Sequence, residues 1–250
     1  MIKLVNGDCL VELSKFDNKS VDLFILDLPY GQTECEWDSK IDLEQLWFQL
    51  KRLGKDNTAY IFFCTAKFGY ELIKSNEKWF RYDLVWNKGN SSSAGFLNAR
   101  KMPMRNHELI YVFYNKLPTY NILDNHIHKP RTTKKFENKS QVYNSCTQLV
   151  STTGTQWEPP LPKSVLNING NKYRKKQMHP TEKPEEIIKW LVSYYSKQGD
   201  VICDPTMGSG IVGKVCYDMT RNFIGIEKNE MIYGVATGRL IMGPVCEPSF

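Results

Sequence analysis

The stretch that most restricts what this chain can fold into runs from Val201 to Glu227. An apolar run, Val201-Ile202-Cys203, ends in Asp204-Pro205-Thr206-Met207-Gly208-Ser209-Gly210. A helical segment, Ile211 to Tyr217, follows, and a second apolar run, Asn222 to Ile226, finishes in Glu227, 23 residues after Asp204. Strand, acid, glycine-rich turn, helix, strand and acid, in that order, make one nucleotide-binding half of a doubly wound parallel sheet. Glycines in such a turn let the backbone approach a ligand, and an acid ending the second strand can accept from both ribose hydroxyls. We read the turn as neither a dinucleotide fingerprint, on the spacing of its glycines, nor a phosphate loop, because no Gly-Lys-Ser/Thr follows it. The expected ligand is a nucleoside without a pyrophosphate.

Another apolar run, Val21 to Leu26, reads as a strand buried on both faces, and it ends in Asp27-Leu28-Pro29-Tyr30. Residues just past the carboxyl end of such a strand lie where open α/β sheets bind ligands. Pro29 biases Leu28 towards an extended conformation, so the carbonyl before the proline points in a defined direction. The Asp27 carboxylate, the Leu28 carbonyl and the Tyr30 ring then converge on a small space. That set suits a planar substrate with an amino group: the acceptors take its two N–H bonds and the ring stacks on its face. A strand ending in a proline-containing turn is the structural alternative.

The rest of the chain fits one α/β domain with a decorated loop. Ile2 to Val5 is a strand, Asn6-Gly7-Asp8-Cys9 a turn that caps a helix over Leu10 to Phe16, and Asp42 to Leu53 a helix ended by Gly54. Thr58 to Cys64, Phe80 to Trp86 and His107 to Tyr114 read as strands, and Gly69 to Lys74 as a helix. Ile187, Ile188, Leu191, Val192 and Tyr195 form one face of a helix over Glu185 to Tyr195, and Met231 to Leu240 is the last helical stretch. No apolar run is long enough to span a bilayer, and Met1-Ile2-Lys3-Leu4 opens into a strand-like segment, not a signal peptide, so a cytoplasmic protein is expected. The seven cysteines form no C-x-x-C pair, which points away from a zinc site or disulfide framework, and no metal is expected.

Charge is unevenly spread. Between Lys129 and Lys176 ten lysines and arginines stand against two glutamates, an excess larger than the net +6 of the whole chain. The same region, from Asn115 to Gln177, shows no clear period and is broken by prolines at 118, 130, 159, 160 and 162. A stretch of that length without secondary structure inside a compact domain is functional or disordered. A second basic segment, Arg100, Lys101 and Arg105, follows the Gly/Ser-rich residues 89–95.

Taken together, Asp27-Leu28-Pro29-Tyr30, His179-Pro180-Thr181-Glu182-Lys183-Pro184 and Asp204 to Gly210 resemble a DNA amino-methyltransferase of the permuted β group. The resemblance covers about three quarters of the chain, all but the basic insert and the tail. It implies a Rossmann-like methyltransferase sheet, mostly parallel with one antiparallel strand and flanked by helices. It also implies a permuted order: residues 1–114 as the catalytic half, 115–177 as the target-recognition insert, 178–240 as the S-adenosylmethionine half and 241–250 as a tail. The implied cofactor set is Asp8 and Cys9 of the early turn, with Asp8 at the adenine amino group, Asp27, then His179, Thr181 and Lys183 at the methionine carboxylate. Asp204, Pro205, Thr206, Gly208, Ser209 and Gly210 follow at the glycine-rich turn, then Glu227 at the ribose and, beside it in the chain, Lys228. The family's catalytic string is Asp-Pro-Pro-Tyr, and Leu28 replaces its first proline; the position works through a carbonyl that leucine retains, so activity is expected to survive.

The resemblance further implies transfer of a methyl group to N6 of a flipped adenine in double-stranded DNA, Asp at position 27 favouring adenine over N4 of cytosine. Carbon-5 methylation has no candidate, because the chain contains no Pro-Cys dipeptide. Methylation of protein glutamine or of RNA would be expected with Asn in place of Asp27. DNA contacts are expected from Arg100, Lys101, Arg105, Lys129, Arg131, Lys134, Lys135, Arg174, Lys175 and Lys176, in a monomer or homodimer without membrane association. Two other classes remain: a nucleic-acid-binding module that keeps the fold without turnover, and a disfavoured nicotinamide-dependent oxidoreductase on a related sheet.

Overall fold

The computed structural model describes residues 1–30, 40–89, 93–132, 153–170 and 182–241. It divides into two units, Met1–Tyr120 with Ser164–Phe250, and Asn121–Lys163.

The larger unit is built on strands β1 (Ile2–Asn6), β2 (Val21–Leu26), β3 (Gly54–Cys64), β4 (Phe80–Asn87) and β5 (His107–Phe113). After β6 (Ile127–Thr132) and β7 (Thr153–Glu158) of the smaller unit come β8 (Val165–Asn167), β9 (Val201–Asp204) and β10 (Asn222–Glu227). Eight strands form one sheet in the order β1-β10-β9-β2-β3-β5-β4-β8. Every neighbouring pair is parallel except those made by β5, which runs against both β3 and β4. The expected sheet, mostly parallel with a single reversed strand, is therefore present. The helices are α1 (Cys9–Leu13), α2 (Leu43–Leu53), α3 (Ala66–Ser75), α4 (Glu185–Tyr195), α5 (Ile211–Asp218) and α6 (Glu230–Ile241).

Local chemistry explains the elements. Asp8 caps α1 by accepting the Leu10 N–H, and Asp42 caps α2 by accepting those of Glu44 and Gln45, each satisfying donors that a helix start leaves open. In β2, Leu23, Phe24, Ile25 and Leu26 are all buried, as a central strand covered on both faces requires. One core lies under α2: Trp47 packs its ring 5.6 Å from Tyr60, 5.2 Å from Phe62 and 5.2 Å from Phe113, while Phe24 stacks on Tyr60 at 5.2 Å. The predicted α4 face, Ile187, Ile188, Leu191, Val192 and Tyr195, is buried as a set.

The centre of the sheet decides where function can lie. Strands β2 and β9 are parallel neighbours, with Leu23 opposite Ile202 and Phe24 opposite Cys203, and the chain proceeds outward from them in opposite directions. This is the switch point at which a doubly wound sheet opens a crevice past its carboxyl edge. Asp22 locks the pairing by accepting the Val201 N–H at 2.9 Å.

The stretch 115–177, read from sequence as irregular, is partly ordered into strands. β6 and β7 pair antiparallel, and β8 joins the main sheet as an edge strand parallel to β4. The prolines and polar residues of β6 and the three-residue length of β8 left no period to detect. The compact unit, Asn121–Lys163, is also narrower than the insert expected from sequence.

Gly210 closes the turn between β9 and α5 at φ 77°, and a Cβ there would sit 3.1 Å from that of Ala236. Gly210→Ala should therefore cost about 1–2 kcal/mol from the left-handed backbone alone. Thermal denaturation should show Tm lowered by several degrees; an unchanged Tm would mean that the turn does not need glycine.

Candidate active site

Three strand ends of the larger unit, those of β2, β9 and β10, and the turn after β1 meet at the carboxyl edge of the sheet. At the end of β2, the Tyr30 hydroxyl donates to Asp27 Oδ1 at 3.0 Å, and its ring lies 5.1 Å from that of Phe68. Burial and the adjacent Asp27 carboxylate push the Tyr30 phenol well above its usual range, so it stays a donor. Leu28 is 3% exposed and belongs to the same core as Phe24 and Leu26. Its side chain is an anchor, so packing fixes the backbone where the family's proline would do so by its ring.

After β9 the chain turns back towards Asp27. Thr206 donates its hydroxyl to the Asp27 carbonyl at 3.2 Å and its N–H to Asp204 Oδ1 at 3.1 Å. Asp204 is buried, and desolvation raises its pKa well above that of a free carboxyl, with Asp27 and Glu227 adding to the rise. At the end of β10, Glu227 accepts the Gly208 N–H at 3.0 Å on one oxygen and the Asn229 N–H at 2.8 Å on the other. Each oxygen keeps a further lone pair for a ligand hydroxyl. The Glu227 carbonyl accepts the Gly7 N–H at 3.0 Å, which seats the Gly7-Asp8 turn beside it, and Lys228 reaches Asp8 Oδ2 at 3.1 Å. Cys9 begins α1 and points into the core, where burial pushes its thiol up to about 11.

The resemblance places Lys183 at a ligand carboxylate. In the structure its ammonium lies 2.7 Å from Asp27 Oδ2 and 3.4 Å from Glu108 Oε2, over the Phe63 ring at 5.1 Å from its centre. Burial alone would favour loss of its proton, but Asp27 and Glu108 outweigh that and raise its pKa. Burial likewise pushes Glu108 up, and Lys183 and Lys88 pull it below its usual value. Leaving any one of these charges unpaired would cost several kcal/mol.

Ser209 also takes a part that the sequence did not suggest. Its hydroxyl donates to Glu182 at 2.5 Å, and Arg239 of α6 donates to the same Glu182 oxygen at 2.9 Å. Glu182, Arg239 and Glu108 are site residues that the sequence reading misses. Glu182 occupies the variable position of its motif, and Arg239 lies in a helix read only for its length. For Glu108 a signal existed, a carboxylate next to the apolar run Leu109-Ile110-Tyr111-Val112-Phe113.

The basic residues divide. Arg100, Lys101 and Arg105 are exposed on the connection from β4 to β5, which leaves the sheet at its carboxyl edge beside Glu108; Phe96 and Leu97 next to them are 79% and 96% exposed. Lys129 lies on β6 and is ion-paired with Glu158; Arg131 is on the same strand. Lys134, Lys135, Arg174, Lys175, Lys176, His179 and Thr181 lie outside the described residues. Among the described residues no group of three His, Cys, Asp or Glu could hold a metal ion, and no helix is long and apolar enough to cross a membrane.

The donor set identifies the kind of ligand. Asp8, Asp27, Asp204 and Glu227 bring four carboxyl groups to the strand ends, an environment that suits a neutral or cationic nucleoside and opposes a pyrophosphate. One sequence expectation needs a different ground. Gly208, Gly210 and Gly213 do stand at G-x-G-x-x-G spacing, so glycine spacing does not exclude a dinucleotide. The ground is the four residues that separate the first glycine from Cys203 at the end of the apolar run, since the dinucleotide fingerprint opens immediately after its strand.

Known proteins agree with this geometry. The profile of the N6/N4 family described as DNA methylase matches residues 21–237. The Type II methyltransferase M.HinfI of Haemophilus influenzae is 27% identical over 268 residues, covering 95% of this chain and 67% of that protein. The DNA adenine methyltransferase YhdJ of Escherichia coli is 25% identical over 256 residues, covering 95% of this chain and 82% of its own. Among solved structures, a complex of M1.HpyAVI with SAM superposes with a TM-score of 0.66 at 20% identity, covering 96% of this chain and 99% of that one. That likeness establishes a shared Rossmann-like methyltransferase fold, and with the profile match over most of its length the chain belongs to the N6/N4 DNA methylase family.

Proposed function

We propose that the protein transfers a methyl group from S-adenosylmethionine to N6 of an adenine flipped out of double-stranded DNA. The observation that carries this reading is the Thr206 hydrogen bond to the Asp27 carbonyl, which joins an amine-accepting site and a nucleoside-binding turn across 179 residues. The cofactor fits the acids at the strand ends: Glu227 would hold the ribose, Asp8 the adenine amino group, and Gly208 and Gly210 the backbone approach. When bound, it supplies a methyl group made electrophilic by a sulfonium.

The chain's own residues prepare the nucleophile. An exocyclic amine delocalises its lone pair into the base, so it must be drawn towards a tetrahedral geometry before it can react. The Asp27 carboxylate and the Leu28 carbonyl would each accept one of its N–H bonds. Tyr30, backed by Phe68, supplies an aromatic wall for the extruded base. The buried ammonium of Lys183 holds the Asp27 carboxylate in place through their ion pair, and alignment of the reacting groups contributes much of the remaining rate.

Adenine is the preferred base because Asp27 heads the motif and because YhdJ, related over 95% of the chain, is a DNA adenine methyltransferase. N4 of cytosine is the second reading, since the matching family spans both chemistries. Single-molecule sequencing of DNA from cells expressing the protein should reveal N6-methyladenine in a fixed context; N4-methylcytosine there would overturn the adenine assignment. Asp27→Ala should lower methyl transfer by at least about 100-fold while S-adenosylmethionine still binds in calorimetry. A variant with near-normal turnover would remove Asp27 from the chemistry.

Arg100, Lys101 and Arg105 are proposed to bind DNA phosphates, with Lys129, Arg131 and the basic residues outside the described segments. Replacing the first three with alanine should weaken DNA binding and reduce the log–log salt slope by about 0.9 for each phosphate that they neutralise. An unaltered slope would assign these residues to solvent.

A further inference from the structure

Glu108 belongs to none of the motifs that the function absorbs, yet it is a largely buried acid held against the same ammonium as Asp27. It is the second residue of β5, opposite Trp86 of β4, and its side chain is 19% exposed. One oxygen is ion-paired with Lys88. The other, Oε2, is buried and makes no hydrogen bond among the described residues; its near neighbour is the Lys183 ammonium, at 3.4 Å. A buried carboxylate oxygen without a hydrogen bond is costly and calls for a reason.

The reason lies in what Asp27 has to do. Its Oδ1 already accepts from Tyr30, and its Oδ2 accepts from Lys183 at 2.7 Å. An incoming amine N–H must compete for the same carboxylate. If Lys183 simply withdrew, a buried ammonium would be left without its nearest carboxylate, which is strongly unfavourable. Glu108 Oε2 removes that obstacle, because a shift of about 0.6 Å would bring the ammonium from 3.4 Å to charge-assisted hydrogen-bond length on it. The ring of Phe63 faces the ammonium, its centre 5.1 Å away.

We infer that Glu108 is a positioning residue that offers Lys183 a second seat, drawing it off Asp27 Oδ2 as the target amine arrives. Glu108 acts through Lys183 and does not touch the substrate. The inference rests on the methyl-transfer reading for its purpose but not for its geometry, so two readouts separate them.

The first readout needs no activity. In a crystal structure of the Asp27→Asn variant the ammonium should move within about 3 Å of Glu108 Oε2; an ammonium that keeps its present distance, or turns to solvent, overturns the inference. The second uses tritiated S-adenosylmethionine and unmethylated genomic DNA. Glu108→Gln should lower kcat roughly 10- to 100-fold with KM for DNA and cofactor affinity within about twofold, and Glu108→Asp should recover most of the loss. In a Lys183→Met background, Glu108→Gln should add less than about a twofold further loss, since both act through one ammonium. Wild-type kcat in Glu108→Gln overturns the second-seat role. So do multiplying losses in the double variant, and so does a fall in cofactor affinity and Tm that Asp does not rescue. A wild-type protein that transfers no methyl group defeats the proposed function instead, and the Asp27→Asn structure still decides the role of Glu108.

Discussion

The pairing of β2 with β9 is the contact on which the rest of the molecule depends. Two strands about 180 residues apart in the chain lie side by side at the centre of the sheet, in a register that puts Phe24 opposite Cys203. That register brings Asp27 and Asp204 to the same edge, and Thr206 can then reach the Asp27 carbonyl. Closing so long a loop is entropically unfavourable, and the compensation is burial of two apolar strands on both faces. Asp22 adds a directional lock by receiving the Val201 N–H. A slip by one residue would turn each buried side chain to the opposite face and move Asp27 out of register with the glycine-rich turn.

Electrostatics follows from this geometry. Parallel strands that end together deliver their terminal acids together, so Asp27, Asp204 and Glu227 crowd one edge. Desolvation pushes Asp204 towards its neutral form, while Asp27 is ion-paired with the Lys183 ammonium. Two acids of one crevice thus acquire different characters from their surroundings. The single reversed strand contributes as well: β5 begins at the carboxyl edge, where its neighbours β3 and β4 end, and so it can place Glu108 against Lys183.

Leu28 illustrates how one requirement can be met by different physics. In the family string a proline stiffens the backbone at this position, and its replacement reads from sequence as a loss of rigidity. The structure buries the leucine side chain in the core with Phe24 and Leu26, so packing supplies the constraint from below. The side chain is fixed by tertiary contact, which no local pattern reveals.

The sequence by itself determined the sheet class, the strands β2, β9 and β10, the helices α2 and α4, and the acids at the strand ends. Each of these is written in the chain as an apolar run, a period or a residue beside a glycine turn. Tertiary structure alone decided the strand order, the burial of Leu28 and the strands within residues 115–177, whose polar or very short segments carry no period. It alone also decided that Lys183 pairs with Asp27 and Glu108, and that Ser209 joins Glu182 and Arg239. Those groups are 27 to 156 positions apart, from Ser209 with Glu182 to Lys183 with Asp27. Side-chain charge is legible in a sequence, but its partner is chosen by the sheet that brings distant strand ends to one edge and leaves little water to compete.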